Sequence, residues 1–301
     1  MPALCLWLAL LCAGPWMAAG KQEAVLYDDL GHSFSLAGPP RRIVSLAPDI
    51  TEILFALNLG PRIVGVTRYC DYPPEVGRIE KVGGLVDPSL EKIQVLHPDL
   101  VIAFRGNSIG IVNRLRSLGS PVFVLNSGTS LAGVLEVIKR IGRLTFQPES
   151  AGRLCRELED RRRGLELALG NVGNTPRIFL SVPGQGFWTC GAQGYLNDLI
   201  IQARGVNIAG GIRRRWLNLT REQLVRENPE VIIVMAKNLE AFRSMRDRLL
   251  SDARLKAVGA IRTRNIRFLD EDSASRFGPR LFQALEDVAR ILHPERFPGG
   301  L

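Results

Sequence analysis

The sequence predicts an α/β fold of two lobes, each a mainly parallel sheet flanked by helices, joined by one long rigid helix. Three observations carry this. Short apolar runs without alternation, such as Leu100–Phe104 and Val122–Leu125, recur between amphipathic stretches, as strands covered on both faces do. One α-then-β unit occurs twice: SLEKIQVLHPDLVIAF, from Ser89 to Phe104, overlays TREQLVRENPEVIIVM, from Thr220 to Met235. Glu91 then matches Glu222, Pro98 matches Pro229 and Asp99 matches Glu230, and such a repeat indicates two similar lobes. Between the copies, residues 148–170 form one highly charged helical stretch, relieved only by Gly152 and Gly164. At helical rise it spans about 35 Å, enough to bridge two lobes.

Taken in order, the first twenty of the 301 residues stand apart. Residues 1–20 hold no charge, contain an apolar run from Ala3 to Ala13, and end Ala18-Ala19-Gly20 before Lys21. That pattern reads as a secretory signal, although no Lys or Arg precedes the run. Leu11 before Cys12 is larger than a lipoprotein signal favours, so a soluble periplasmic product is expected rather than a lipid-anchored one. An edge-like segment from Val25 to Leu36 follows, then a strand at Ile43 to Leu46. Asp49 and Glu52 stand as a capping pair for a helix whose buried face is Ile50, Ile53, Leu54 and Leu57, stopped by Gly60. Strand and helix signals then alternate: 63–67, 90–96, 100–104, 109–118, 122–125, and a helix capped by Ser130. After the long helix they resume with strands at 177–182, 231–235 and 266–269, and helices at 195–204, 221–227, 239–250 and 279–293. The expected organisation is a signal at 1–20, an N-terminal lobe at 24–146, a linker helix at 147–171 and a C-terminal lobe at 175–296.

Apolar content of 46% supports a real core and excludes a disordered chain. The net charge of +9 comes from scattered residues, apart from Arg161 to Arg163, which read as a solvated surface, and Arg213 to Arg215, and no nucleic-acid partner is expected. Cys70, Cys155 and Cys190 have no metal-like spacing and specify no disulfide. His32, His97 and His293 are the only histidines, too few and too scattered for a metal site. The chain carries no HExxH, CxxC, P-loop, GxGxxG after a strand, or nucleophile elbow. No catalytic residue, resident cofactor or metal is therefore expected. A hydrolase on the same scaffold is the rival, and it needs a nucleophile–base pair that the chain does not advertise. What the chain does have is aromatics beside turns at strand ends: Tyr69, Tyr72, Phe104, Phe187, Trp188 and Trp216. In open parallel sheets ligands bind beyond the carboxyl ends of the strands, where Trp and Tyr offer a stacking surface for a large flat ligand. Glu91 and Glu222 each stand two residues after a helix-capping Ser or Thr. Equivalent carboxylates on two lobes would dock a partner with two basic patches.

These residues resemble a known family. Arg42-Ile43-Val44-Ser45-Leu46-Ala47-Pro48 with Thr51-Glu52, then Asp71-Tyr72-Pro73-Pro74, then Asp99-Leu100-Val101-Ile102-Ala103 are similar to the periplasmic substrate-binding proteins of ABC importers. The likeness runs over residues 24–293 and is to the helical-backbone group that carries cobalamin and iron–siderophore complexes. Tyr69-Cys70-Asp71-Tyr72 and Phe104-Arg105-Gly106 most resemble its cobalamin-binding members. The resemblance implies a monomer with no nucleic-acid partner that holds a corrinoid between its lobes. Its implied contacts are Tyr69, Phe104, Arg105, Trp188, Trp216, Asp272 and Arg276, with Glu91 and Glu222 docking the permease dimer. Two positions depart from the cobalamin pattern: Leu85 stands where it has a Trp, and residues 272–276 lack its aromatics. Arg105, Arg213 to Arg215, Arg276 and Arg280 would suit an anionic ferric siderophore or haem instead.

Overall fold

Two parallel sheets, built from equivalent strands and joined by a long helix, form the computed structural model, which describes residues 25–298. The expected signal at 1–20, with Cys5 and Cys12, lies outside the described residues. The N-terminal lobe comprises β1 (Leu26–Tyr27), β2 (Ser33–Phe34), β3 (Ile43–Ser45), α1 (Pro48–Ala56), β4 (Ile63–Val66), β5 (Glu80–Lys81), α2 (Leu90–Val95), β6 (Leu100–Phe104), α3 (Ile109–Ser117), β7 (Val122–Leu125) and α4 (Leu131–Leu144). The linker is α5 (Pro148–Leu169). The C-terminal lobe comprises β8 (Arg177–Ser181), β9 (Phe187–Cys190), α6 (Tyr195–Gln202), β10 (Val206–Asn207), β11 (Trp216–Leu219), α7 (Arg221–Glu227), β12 (Val231–Ala236), α8 (Leu239–Ser251), α9 (Gly259–Arg262), β13 (Ile266–Asp270), α10 (Glu271–Ser275) and α11 (Leu281–Leu292).

The first sheet runs β5-β4-β3-β6-β7 and the second β10-β8-β12-β13, all parallel. The repeat seen in the sequence superposes their centres. α2 and β6 begin at Leu90 and Leu100, α7 and β12 at Arg221 and Val231, so β3-β6-β7 corresponds to β8-β12-β13. The correspondence extends to polar contacts. The Asp99 carboxylate accepts from the amides of Arg41 and Arg42 (2.7 and 2.8 Å), and Glu230 accepts from the amide of Arg177 (2.8 Å). The Arg42 side chain donates to the Leu96 carbonyl at the end of α2, and Arg177 to the Glu227 carbonyl at the end of α7.

Local chemistry places the helix starts. Ser89 accepts from the Lys92 amide, Ser130 from that of Gly133, and Thr220 with Gln223 closes a full capping box. The expected Asp49–Glu52 capping pair does not form. Pro48 occupies the first turn, Ala47 caps with backbone alone, and Glu52 is drawn across the cleft to Arg280. α5, of 22 residues, begins on Pro148 and binds both lobes. Ala151 packs so tightly on Gly142 of α4 that a Cβ there would lie 2.3 Å from the Ala151 methyl. At its other half Arg161 pairs with Glu286 of α11 (2.9 Å) and donates to Gln283. One apolar cluster runs from Ile43, Ile102 and Phe123 through Cys155 and Leu158 to Leu180, Leu285 and Leu292, so the lobes share a core. Cys70, Cys155 and Cys190 are buried and unpaired. Among the described residues no helix is long and apolar enough to cross a membrane.

Candidate functional site

The C-terminal wall of the cleft is an antiparallel ribbon, not the loops that the sequence suggests for Trp188 and Trp216. β9 pairs with β11, Trp216 opposite Cys190 and Asn218 opposite Trp188. Because facing residues alternate sides of a strand, this register puts the two Trp on one face as diagonal neighbours. Asn218 locks the turn before the ribbon, accepting from the Phe187 amide (2.7 Å) and donating to the Gln185 carbonyl (3.2 Å). Gly184, at φ +147°, lets the Trp188 ring lie against the chain, since a Cβ there would come within 2.7 Å of it. Tyr195 stands edge-on to Trp216, with ring centres 6.1 Å apart, and donates its hydroxyl proton to the Ala274 carbonyl. These three aromatics, with Val182, Met235, Glu271 and Ser275, line a cavity of about 460 Å³.

The N-terminal wall stands at the carboxyl ends of neighbouring strands. Tyr69 follows β4 and is 46% exposed, with the Arg68 guanidinium 5.2 Å from its ring centre and Arg68 itself tied to Asp87 (3.2 Å). Phe104 ends β6 and folds back over Gly106, where a Cβ would lie 2.1 Å from the ring. Asn107 fixes this corner: it accepts from the Phe104 amide (2.8 Å) and donates to the Leu46 and Leu85 carbonyls (3.1 and 2.6 Å). Arg105 is exposed and has no ion-pair partner among the described residues.

Between the walls lies a charged network that crosses from lobe to lobe. Arg276, 15% exposed at its side chain, reaches Asp71 of the other lobe (3.2 Å) and Asp272 of its own (3.1 Å). Arg280 forks onto both oxygens of buried Glu52 (3.0 and 2.8 Å), with its guanidinium 4.2 Å from the Tyr72 ring centre. Burial raises the Glu52 carboxyl despite Arg280. Half-buried Asp49 is pushed up to about 6, mainly by burial, with the charge of Glu52 adding to it. Beside this network Phe277 leaves its own lobe and packs on Gly128 and Gly133, ring atoms lying 2.9 and 3.2 Å from where their Cβ atoms would be.

The structure therefore gathers Trp188 and Trp216 on one wall and links Asp272 to Arg276 on the floor. It sets Tyr69, Phe104 and Arg105 at strand ends of the opposite lobe. Arg276 and Arg280 are engaged by carboxylates, whereas Arg213 to Arg215 are exposed ahead of β11. Glu91 and Glu222 are exposed at the second positions of α2 and α7, and Glu222 lines a separate cavity with Phe187 and Asn218 of the ribbon. His97 lies in the left-handed turn between α2 and β6, and His293 is buried at the end of α11. Tyr195, Glu271 and Phe277 were missed in the sequence. Tyr195 and Glu271 open helices directly after a glycine turn and a strand, and that position relative to a strand's carboxyl end is the signal that would have found them.

Known proteins share this fold. The chain is 27% identical, over 97% of its length and 98% of theirs, to the uncharacterized ABC transporter substrate-binding lipoprotein YvrC of Bacillus subtilis. It is 32% identical to the vitamin B12-binding protein of Salmonella paratyphi A, over 65% of this chain and 73% of that one. The periplasmic heme-binding protein RhuT of Roseiflexus sp. RS-1 superposes with a TM-score of 0.76 at 28% identity, covering 85% of this chain and 99% of that one. The profile of the periplasmic binding protein family matches residues 43–273, across both sheets and the linker helix, and the chain belongs to that family.

Proposed function

We propose that this protein captures a corrinoid between its lobes in the periplasm and delivers it to the permease dimer of an ABC importer. The observation that carries the reading is the Trp188–Trp216–Tyr195 wall, with further aromatics, Tyr69 and Phe104, at strand ends of the other lobe. A wide conjugated ring stacks on such faces, and aromatic side chains supply large contact area at low conformational cost. Phe104, Arg105, Asp272 and Arg276 border the ring's rim. The vitamin B12-binding relative supports the ligand class. The molecule acts as a monomer, with lobes at 24–146 and 175–296 held by 147–171, and makes or breaks no bond in its ligand. It is soluble once residues 1–20 are removed; a lipid anchor, as named for the Bacillus relative, is the alternative.

Glu91 and Glu222 dock the permease. They occupy equivalent sites on the two lobes, and both are exposed. The second ligand reading is haem, favoured by Leu85 in place of an aromatic and by the heme-binding neighbour. Purified protein mixed with cobalamin or cobinamide is expected to co-elute with it in gel filtration and shift its visible spectrum. Failure of both corrinoids at micromolar concentration, with haem or a ferric siderophore binding, would overturn the corrinoid reading.

A further inference from the structure

The one charged side chain lining the aromatic cavity among the described residues is a carboxylate, with Arg215 acting on Tyr195 from beside Trp216. Glu271 lines the same cavity as Trp188, Trp216 and Tyr195. No protein donor is hydrogen-bonded to its carboxylate among the described residues, and burial raises its proton affinity. The charges it senses are exposed Lys237, its neighbours Asp270 and Asp272, and Arg276. Arg276 is already held by Asp71 and Asp272, and Arg280 by Glu52. With Asp49, five carboxylates (Asp49, Glu52, Asp71, Glu271 and Asp272) thus stand among three cationic side chains, Arg276, Arg280 and Lys237, in a protein whose overall charge is +9. An unpartnered carboxylate on a partly buried aromatic wall accepts a strong hydrogen bond from an N–H group, and it repels another carboxylate once a bound ring covers the wall and excludes water.

We propose that Glu271 sets the ligand class: it selects a macrocycle whose rim presents carboxamide N–H groups or positive charge and rejects one that presents carboxylates. This rests on the ligand-capture reading above. A site built around a polar group discriminates strongly against an analogue that leaves the group unpaired. Hydrogen bonds to charged acceptors correspond to about ten- to hundredfold in affinity.

The test compares ligands that share a ring and differ only at the rim. Dissociation constants are measured by visible absorbance for cobinamide and for cobyrinic acid, its carboxylate counterpart. A second pair, haem and its dimethyl ester, tests the rejection of carboxylates alone, since an ester offers no N–H. Wild-type protein is compared with Glu271→Gln and Glu271→Ala, whose thermal midpoints confirm folding. Wild type is expected to prefer the amide or ester partner at least about tenfold, and both variants to lose most of that preference. A preference unchanged in the variants, a wild type that favours the carboxylate ring, or no binding by either pair overturns the proposal. Should only the haem pair bind, with the ester preference present and lost in Glu271→Gln, the corrinoid reading falls and the role of Glu271 stands.

Discussion

Asp49 shows how much the fold changes a single side chain. In the sequence it reads as half of a capping box. In the structure it is a carboxyl at the cleft floor, near Glu52 and Arg276, pushed from 3.8 up to about 6. The folded chain therefore binds a proton that the unfolded chain releases between about pH 4 and pH 6. The contribution to stability is greatest at low pH and declines as pH rises through 6, by about 1.4 kcal/mol per unit and by about 3 kcal/mol at most. Asp49→Asn removes it. Urea denaturation at pH 5 and pH 7.5 is expected to show the variant gaining on wild type by about 1–2 kcal/mol as pH rises. A difference that stays constant with pH would show that Asp49 titrates normally. Tyr69, Trp188 and Trp216 were legible as site candidates because aromatics beside turns stand out. Glu271 and Tyr195 were not, since a Glu or a Tyr in a helix's first turn looks like any other.

Among elements, the α2–β6 and α7–β12 units were the most legible, for a physical reason. Each packs its strand at the centre of a sheet, so its apolar run is continuous. Each caps its helix with a hydroxyl, so its start is marked. The same spacing fixes Glu91 and Glu222 on corresponding exposed turns. In reconstituted vesicles, Glu91→Ala with Glu222→Ala is expected to abolish stimulation of the importer's ATPase while ligand affinity stays within about twofold, as for surface changes outside a binding site. Lost ligand binding in that double variant would place the two Glu in the pocket and sink the docking reading. The β9–β11 ribbon was illegible. Its strands of four residues are separated by α6 and β10, so no hairpin turn announces their pairing. The segment from α10 to the start of α11 was illegible in another way. Within ten residues it presents Glu271 and Ser275 to the cavity and sends Arg276, Phe277 and Arg280 to the other lobe.

For the whole molecule, the shared core and the cross-lobe contacts decide how far the lobes move. Phe277 in its glycine socket, Arg280 on Glu52, Arg276 on Asp71, and the Leu131 amide donating to Asp198 (2.8 Å) all join one lobe to the other. With α5 packed on both, small adjustments are expected rather than wide hinge closure. Phe277→Ala, at a residue only 3% exposed, is expected to lose about 3–5 kcal/mol and to split a single calorimetric unfolding transition into two. One transition in the variant at the wild-type midpoint would show that the lobes are coupled elsewhere. The sequence by itself determined the two lobes, the helix between them, the order of strands and helices, and the paired Glu, because periodicity, capping and repetition are local properties of the chain. Only the tertiary structure decided which residues meet. The register that puts Trp188 beside Trp216, the pairing of Glu52 with a residue 228 positions away, and the unpartnered state of Glu271 depend on contacts between distant segments. No local pattern encodes such contacts.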